Sequence, residues 1–163
     1  VLGRPLVPLL LAAGYEVAGL TRSQPDAVRA LVAEPIVCDV YDAARLQSLV
    51  GAFDPDVVVH LLTDLPDAYD ELPEYRERNA RIRREGTRNL LDAAPRAHVI
   101  AESVNFDAGP AVADLEAMVP DHVRLDLLCG PGTWDPDCTR EGRRIHVDDA
   151  ARLFLERVER ATA

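Results

Sequence analysis

Three short segments carry residues that suit a phosphate-bearing ligand. Leu2-Gly3-Arg4-Pro5-Leu6 opens a helix, and a glycine at a helix start lets backbone N–H groups come close to an anion. Thr21-Arg22-Ser23 sits just past a short apolar strand. A dinucleotide fold reads the adenosine ribose at that place. An acidic residue there accepts from both ribose hydroxyls, whereas Arg22 offers a planar donor fork suited to a 2′-phosphate. Cys38-Asp39-Val40 follows a further strand, where Asp39 can accept from an adenine amino group. Each segment has a plainer alternative: a tightly packed helix start, a solvated Arg and a capping Asp.

Groups able to move a proton are few. Ser103 has a hydroxyl but needs a base. Glu102 and Asp107 are its nearest carboxylates, and burial can raise a carboxyl toward neutral pH. Solvated loop acids are the favoured alternative for both. His60 lies inside the apolar run Asp56-Val-Val-Val-His-Leu-Leu62 and reads as a core histidine; His146 reads as structural. No His, Cys, Asp and Glu grouping has metal-ligand spacing. All 18 basic residues are Arg, which excludes any mechanism that needs a lysine. Cys38, Cys129 and Cys138 are odd in number and contain no C-x-x-C pair, so neither a zinc site nor a disulfide framework is expected, and a reducing cytoplasm is the simplest setting.

These residues need elements to hold them. Leu6, Leu9, Leu10 and Ala13 recur at helical spacing before Gly14, and 16–21 reads as a strand. Helices are then expected over 26–33, 43–50, 73–94, 111–118 and 148–161, and strands over 35–38, 56–62, 98–102 and 123–128. This alternation predicts βαβ units: an α/β, Rossmann-type doubly wound parallel sheet in three layers, α/β/α. The 163 residues fit one domain over 1–163, 48% apolar and 28% charged, as in a soluble globular chain. A net charge of −10 argues against nucleic acid, and no apolar run reaches membrane-spanning length. Arg76, Arg78, Arg81, Arg83, Arg84 and Arg88 crowd one helix, but Glu74, Glu77 and Glu85 between them favour an ion-paired surface. No strand precedes the first helix, although the strand before it lies centrally in such a sheet. The domain is therefore expected to be incomplete at its N-terminus and in internal loops.

The segments LGRPLVPLLLAAGYEVAGLTRS, CDVYDAARL, DVVVHLLTD, EGTRNLLDAA, GPGTW and IHVDDAARL follow one another in an order that resembles the NAD-dependent epimerase/dehydratase family, the extended or atypical short-chain dehydrogenases. The resemblance implies NADP, or NAD, as cofactor. It makes Gly3 the last glycine of a phosphate loop, Thr21, Arg22 and Ser23 the 2′-phosphate pocket, and Asp39 and Val40 the flank of the adenine. Leu61, Leu62 and Thr63 become the loop along the ribose and diphosphate, where the family has smaller residues. Ser103 falls where the family keeps its catalytic Ser or Thr. Gly130-Pro131-Gly132 shapes the nicotinamide and substrate end, and His146-Val147-Asp148-Asp149 enters the late helix. The family's Tyr and its Lys four residues on have no counterpart: Ala108 and Val112 stand near those positions. Arg83 replaces a structural Asn. The implied function is an NAD(P)-dependent oxidoreductase or epimerase/dehydratase-like enzyme acting on a small organic or sugar-like substrate, with an atypical active site and a homodimer packed through helix 73–94. The alternative is a non-catalytic NAD(P)-binding sensor or scaffold.

Overall fold

The computed structural model describes residues 1–66 and 69–163, apart from the side chain of Tyr69. Leu6 and Leu10 bury one stripe of helix α1, Gly3–Ala12. A short strand, β1 (Ala18–Thr21), and helix α2 (Pro25–Arg29) lead to strand β2, Glu34–Val37. Gly19 is required in β1, because a Cβ there would stand 2.6 Å from Val28 Cγ1 of α2. Helix α3 (Ala43–Phe53) starts on Asp42, whose side chain accepts from the Arg45 N–H. It runs past Gly51 and ends on Asp54 in the left-handed conformation.

Strand β3 (Val57–His60) is followed by one helical run that changes pitch. The run is a 3-10 segment over Tyr69–Tyr75, α4 over Arg76–Arg81, a π turn over Ile82–Gly86, and α5 over Thr87–Ala93. Strand β4 (His98–Val104), helix α6 (Ala111–Met118), strands β5 (His122–Leu125) and β6 (Leu127–Cys129), strand β7 (Arg144–His146) and helix α7 (Val147–Thr162) complete the chain. The strand expected over 123–128 divides at Asp126 into β5 and β6, which belong to different sheets.

Every strand pairing is parallel: β1 with β2, β3 with β4, β4 with β5, and β6 with β7. Helices α1 and α7 cover one face, where Leu2, Leu6, Leu10, Ile100, Leu125 and Phe154 form the largest core. Helices α3 and α5 cover the other through Cys38, Val40, Leu46, Val50 and Ala93, and α6 adds Leu115 and Val119. This is the expected doubly wound α/β/α arrangement.

The sheet is interrupted in the middle. Among the described residues β1 bonds only to β2, and β3 only to β4. Between them lies a cavity of about 760 Å³ lined by β1, by β3 and by Leu6 and Leu10 of α1.

One expectation is overturned. Cys129 and Cys138 are joined by a disulfide across nine residues, with Cys38 buried and free. Cysteine counting missed it because the pairing depends on a tight turn. Gly130 has φ of 104° with His146 Nε2 at 2.6 Å from where a Cβ would be, and Cys138 itself takes a positive φ. The bond also removes the cysteine argument for a reducing setting.

Candidate functional site

Residues at the carboxyl ends of β1 and β3 and at the amino end of α1 line one cavity. Helix α1 starts at Leu2 with no side chain capping it and no acidic residue in its first turn. Its first N–H groups and its positive dipole end are not answered by a side chain. In front of Gly3 the nearest atom to a built Cβ is Leu61 Cδ1, 4.0 Å away. A Cβ at Gly3 would make only an ordinary van der Waals contact there. Gly3, Thr21, Leu61 and Leu62 line the same cavity.

Arg22 and Ser23 lie exposed just past β1. Thr21 Oγ1 accepts from the Gln24 N–H at 3.1 Å and fixes the turn into α2. Arg22 enters no ion pair among the described residues. Asp39 is half-buried and accepts from the Tyr41 N–H at 3.0 Å. Val40 is buried, and its carbonyl accepts from Asn89 Nδ2 at 2.9 Å. Neither residue lines the cavity. Thr63 is half-buried in the loop that follows Leu62.

His60 occupies the core, as its apolar strand implied. Its Nδ1 accepts from the Leu62 N–H, so Nε2 carries the hydrogen and donates to Thr87 Oγ1 at 2.7 Å. Burial first, then the nearby Arg83 charge, pull its pKa down to about 4.

Ser103 is fully enclosed, and its hydroxyl donates to Glu116 Oε1 at 2.5 Å. Two hydrogen bonds from Arg124 hold the same carboxylate. Bonding to Arg124 is the main reason its pKa falls to about 2. Ser103 thus sits in a settled network between β4 and α6 and does not line the cavity.

Alternation along β4 sends Glu102 the other way, to the face that carries Ile100 and α1. Glu102 is half-buried, and burial pushes its pKa up to about 7, against the pull of Arg83 and of the Val1 ammonium. Arg83, one of the residues crowded on the helical run, turns inward and is 1% exposed. Its Nε and one terminal nitrogen have no acceptor. Sequence reasoning noted Glu102 as a carboxyl that burial can tune; its one sign of an inward Arg83 was that the residue stands where the resembled family has a structural Asn. Arg76, Arg78, Arg81 and Arg84 meet Asp107, Asp64, Glu85 and Asp114, which supports the ion-paired surface reading for them.

Residues 1–116 match the NAD dependent epimerase/dehydratase family. A 3-diazoavenalumate denitrifying reductase of Streptomyces sp. is 42% identical over 124 residues, which are 72% of this chain and 40% of that protein. The chain thus spans well under half the length of this curated relative. The fold matches UDP-glucose 4-epimerase from Brucella ovis in complex with NAD at a TM-score of 0.75, with 19% identity over 98% of this chain and 71% of that one. It also matches the Bordetella bronchiseptica enzyme WbmH in complex with NAD+ at 0.73, with 16% identity over 97% and 68%. By this match the chain belongs to the NAD dependent epimerase/dehydratase family.

Proposed function

We propose that this chain is the dinucleotide-binding part of an NADP-preferring oxidoreductase or epimerase acting on a small organic or sugar-like molecule. The observation that carries the reading is the exposed Arg22 just past β1, where a dinucleotide fold reads the ribose, in a chain of the NAD dependent epimerase/dehydratase family. A bound nicotinamide supplies hydride transfer; the chain's own residues bind and orient it. The α1 end holds the diphosphate, Leu61, Leu62 and Thr63 run along it, Arg22 with Thr21 and Ser23 takes the 2′-phosphate, and Asp39 and Val40 border the adenine. The reductase named among the relatives supports reductive chemistry on an organic molecule.

A second reading, a non-catalytic NAD(P) sensor or scaffold, draws on one observation: Ser103 is enclosed and committed to Glu116, in a chain without lysine. Turnover over a substrate panel separates the two readings. The cofactor pocket is tested by Arg22→Ala, which should weaken NADPH by about tenfold or more and NADH much less, read by fluorescence titration. Equal losses for both cofactors would remove the case for NADP.

The interrupted sheet supports a further strand between β1 and β3, supplied from outside these residues, because facing strand edges without partners leave backbone groups unsatisfied. A homodimer through the helical run of residues 69–93 belongs to the same proposal, and sedimentation equilibrium reads it directly. Among the described residues no helix is long and apolar enough to cross a membrane. The cytoplasmic setting expected from the cysteines is read by fractionation.

A further inference from the structure

We propose that a pocket beside α4 takes a small uncharged organic molecule, held by a carbonyl or ether oxygen that accepts from Asn79.

Asn79 lies in α4 and is 3% exposed. Its Oδ1 accepts from the Asp64 N–H at 3.3 Å. A backbone N–H can only donate, so this bond fixes which end of the carboxamide is oxygen. The Nδ2 group donates to nothing among the described residues. Buried side-chain amides seldom go without a partner. Nor is Nδ2 sealed inside the protein, because the sealed side-chain atoms that lack a partner are both on Arg83. Asn79 lines a pocket of about 280 Å³, and its unpartnered N–H groups open into that space.

The rest of the lining says what would meet them. Leu65, Leu72, Pro73 and Ala108 make the pocket largely apolar. The Tyr75 ring joins them, with the Arg78 guanidinium 4.5 Å from its centre. The charged groups are Asp70, Asp107 and Arg76, all exposed, and Arg76 faces Asp107 at 3.8 Å. One negative charge is left over, which disfavours an anion. The Asn79 oxygen is already engaged, so this side chain offers donors only and calls for an acceptor. The volume is at the small end for a ligand pocket and suits a molecule of one ring.

The position is one where ligands bind. Leu65 follows β3, and Asp107 and Ala108 follow β4. Open α/β sheets bind ligands beyond the carboxyl ends of their strands. Leu65 stands three residues past Leu62, which lines the larger cavity, so the chain spans at most about 11 Å between them. The pocket itself does not depend on the cofactor reading; the occupant's role as substrate rests on it.

The test is a titration of the full chain, with and without NADPH, followed by proton–nitrogen NMR. The probes are acetophenone, which carries a neutral carbonyl, and two ions of similar size, benzoate and benzylammonium. Acetophenone should move the Asn79 side-chain amide signals and bind about fivefold or more tighter than either ion. Asn79→Asp keeps an oxygen for the Asp64 N–H and removes the donors, and should weaken acetophenone by about fivefold or more. Ala108→Leu leaves Asn79 and its bond alone but fills the pocket, and should weaken acetophenone at least as much. If Asn79→Asp does not fold, Ala108→Leu decides. The proposal is overturned if the Asn79 amide signals stay still, if either ion binds as tightly as acetophenone, or if either folded variant binds the ketone like the unmodified chain. Acetophenone binding at Asn79 in a chain that fails to bind NADPH would keep the pocket and remove the substrate role.

Discussion

Phe154→Ala should destabilise the protein by about 3–5 kcal/mol and lower its melting temperature by more than about 6 °C. Phe154 is fully enclosed at the middle of α7. It belongs to the core in which Leu6 and Leu10 of α1, Ile100 of β4 and Leu125 of β5 meet. Truncation leaves a void that close-packed neighbours refill only in part. The effect reaches the site, because this core seats α1 and so fixes where its amino end points. NADPH affinity should therefore fall along with stability. Chemical denaturation followed by circular dichroism gives the number; a loss below about 1 kcal/mol would mean that α7 does not seal the sheet as described.

Glu102→Gln should change how stability depends on pH. The folded-state pKa of Glu102, about 7, lies above its ordinary 4.5. Between those values the folded chain keeps a proton that the unfolded chain has released. Its contribution is complete below about 4.5 and is lost as pH rises through 7. His60 runs the opposite way, with a folded pKa of about 4 against an ordinary 6.5. Its contribution is complete above 6.5 and is lost as pH falls through 4. From about 4.5 to 6.5 the two slopes oppose each other, and the unmodified chain should be nearly flat there. Below 4.5 the depressed Glu116 joins His60, and stability should fall steeply. With Gln at position 102 the His60 slope stands alone. The variant should gain about 3 kcal/mol on the unmodified chain between pH 4.5 and 7.5. Urea titrations at those two pH values read the difference, and parallel curves would show that the Glu102 carboxyl is as well solvated as a surface acid.

Much of the fold was legible in the sequence because periodicity and boundary residues agreed. The spacing of Leu6, Leu9 and Leu10 marked α1, and the apolar run before Asp64 marked β3, though the strand proper is shorter at both ends. Helix α6 matched its expected span of 111–118. The gap in the sheet followed from topology alone. Strand β7 was missed because its three residues, Arg144–His146, carry no alternation.

The candidate site was legible only in part. Gly3, Thr21, Leu61 and Leu62 line one cavity, whereas Asp39, Val40 and Ser103 do not. Arg83 looked like its surface neighbours because helical spacing at constant pitch leaves it on the charged side. A change to π pitch reorients it, and no residue type announces such a change. Ser103 and Glu102 are adjacent in sequence, but strand alternation sends one to α6 and the other to the face of α1. That division depends on which face of β4 each helix covers, and a lone sequence does not contain it.

The open space between β1 and β3 also sets the molecularity of the protein's stability. A strand that occupied it would act as a ligand for the folded state. If a neighbouring copy lends the strand, the melting temperature should climb with protein concentration, and copies should tend to join edge to edge. If the strand is covalently continuous with α1, dilution should leave the transition where it is.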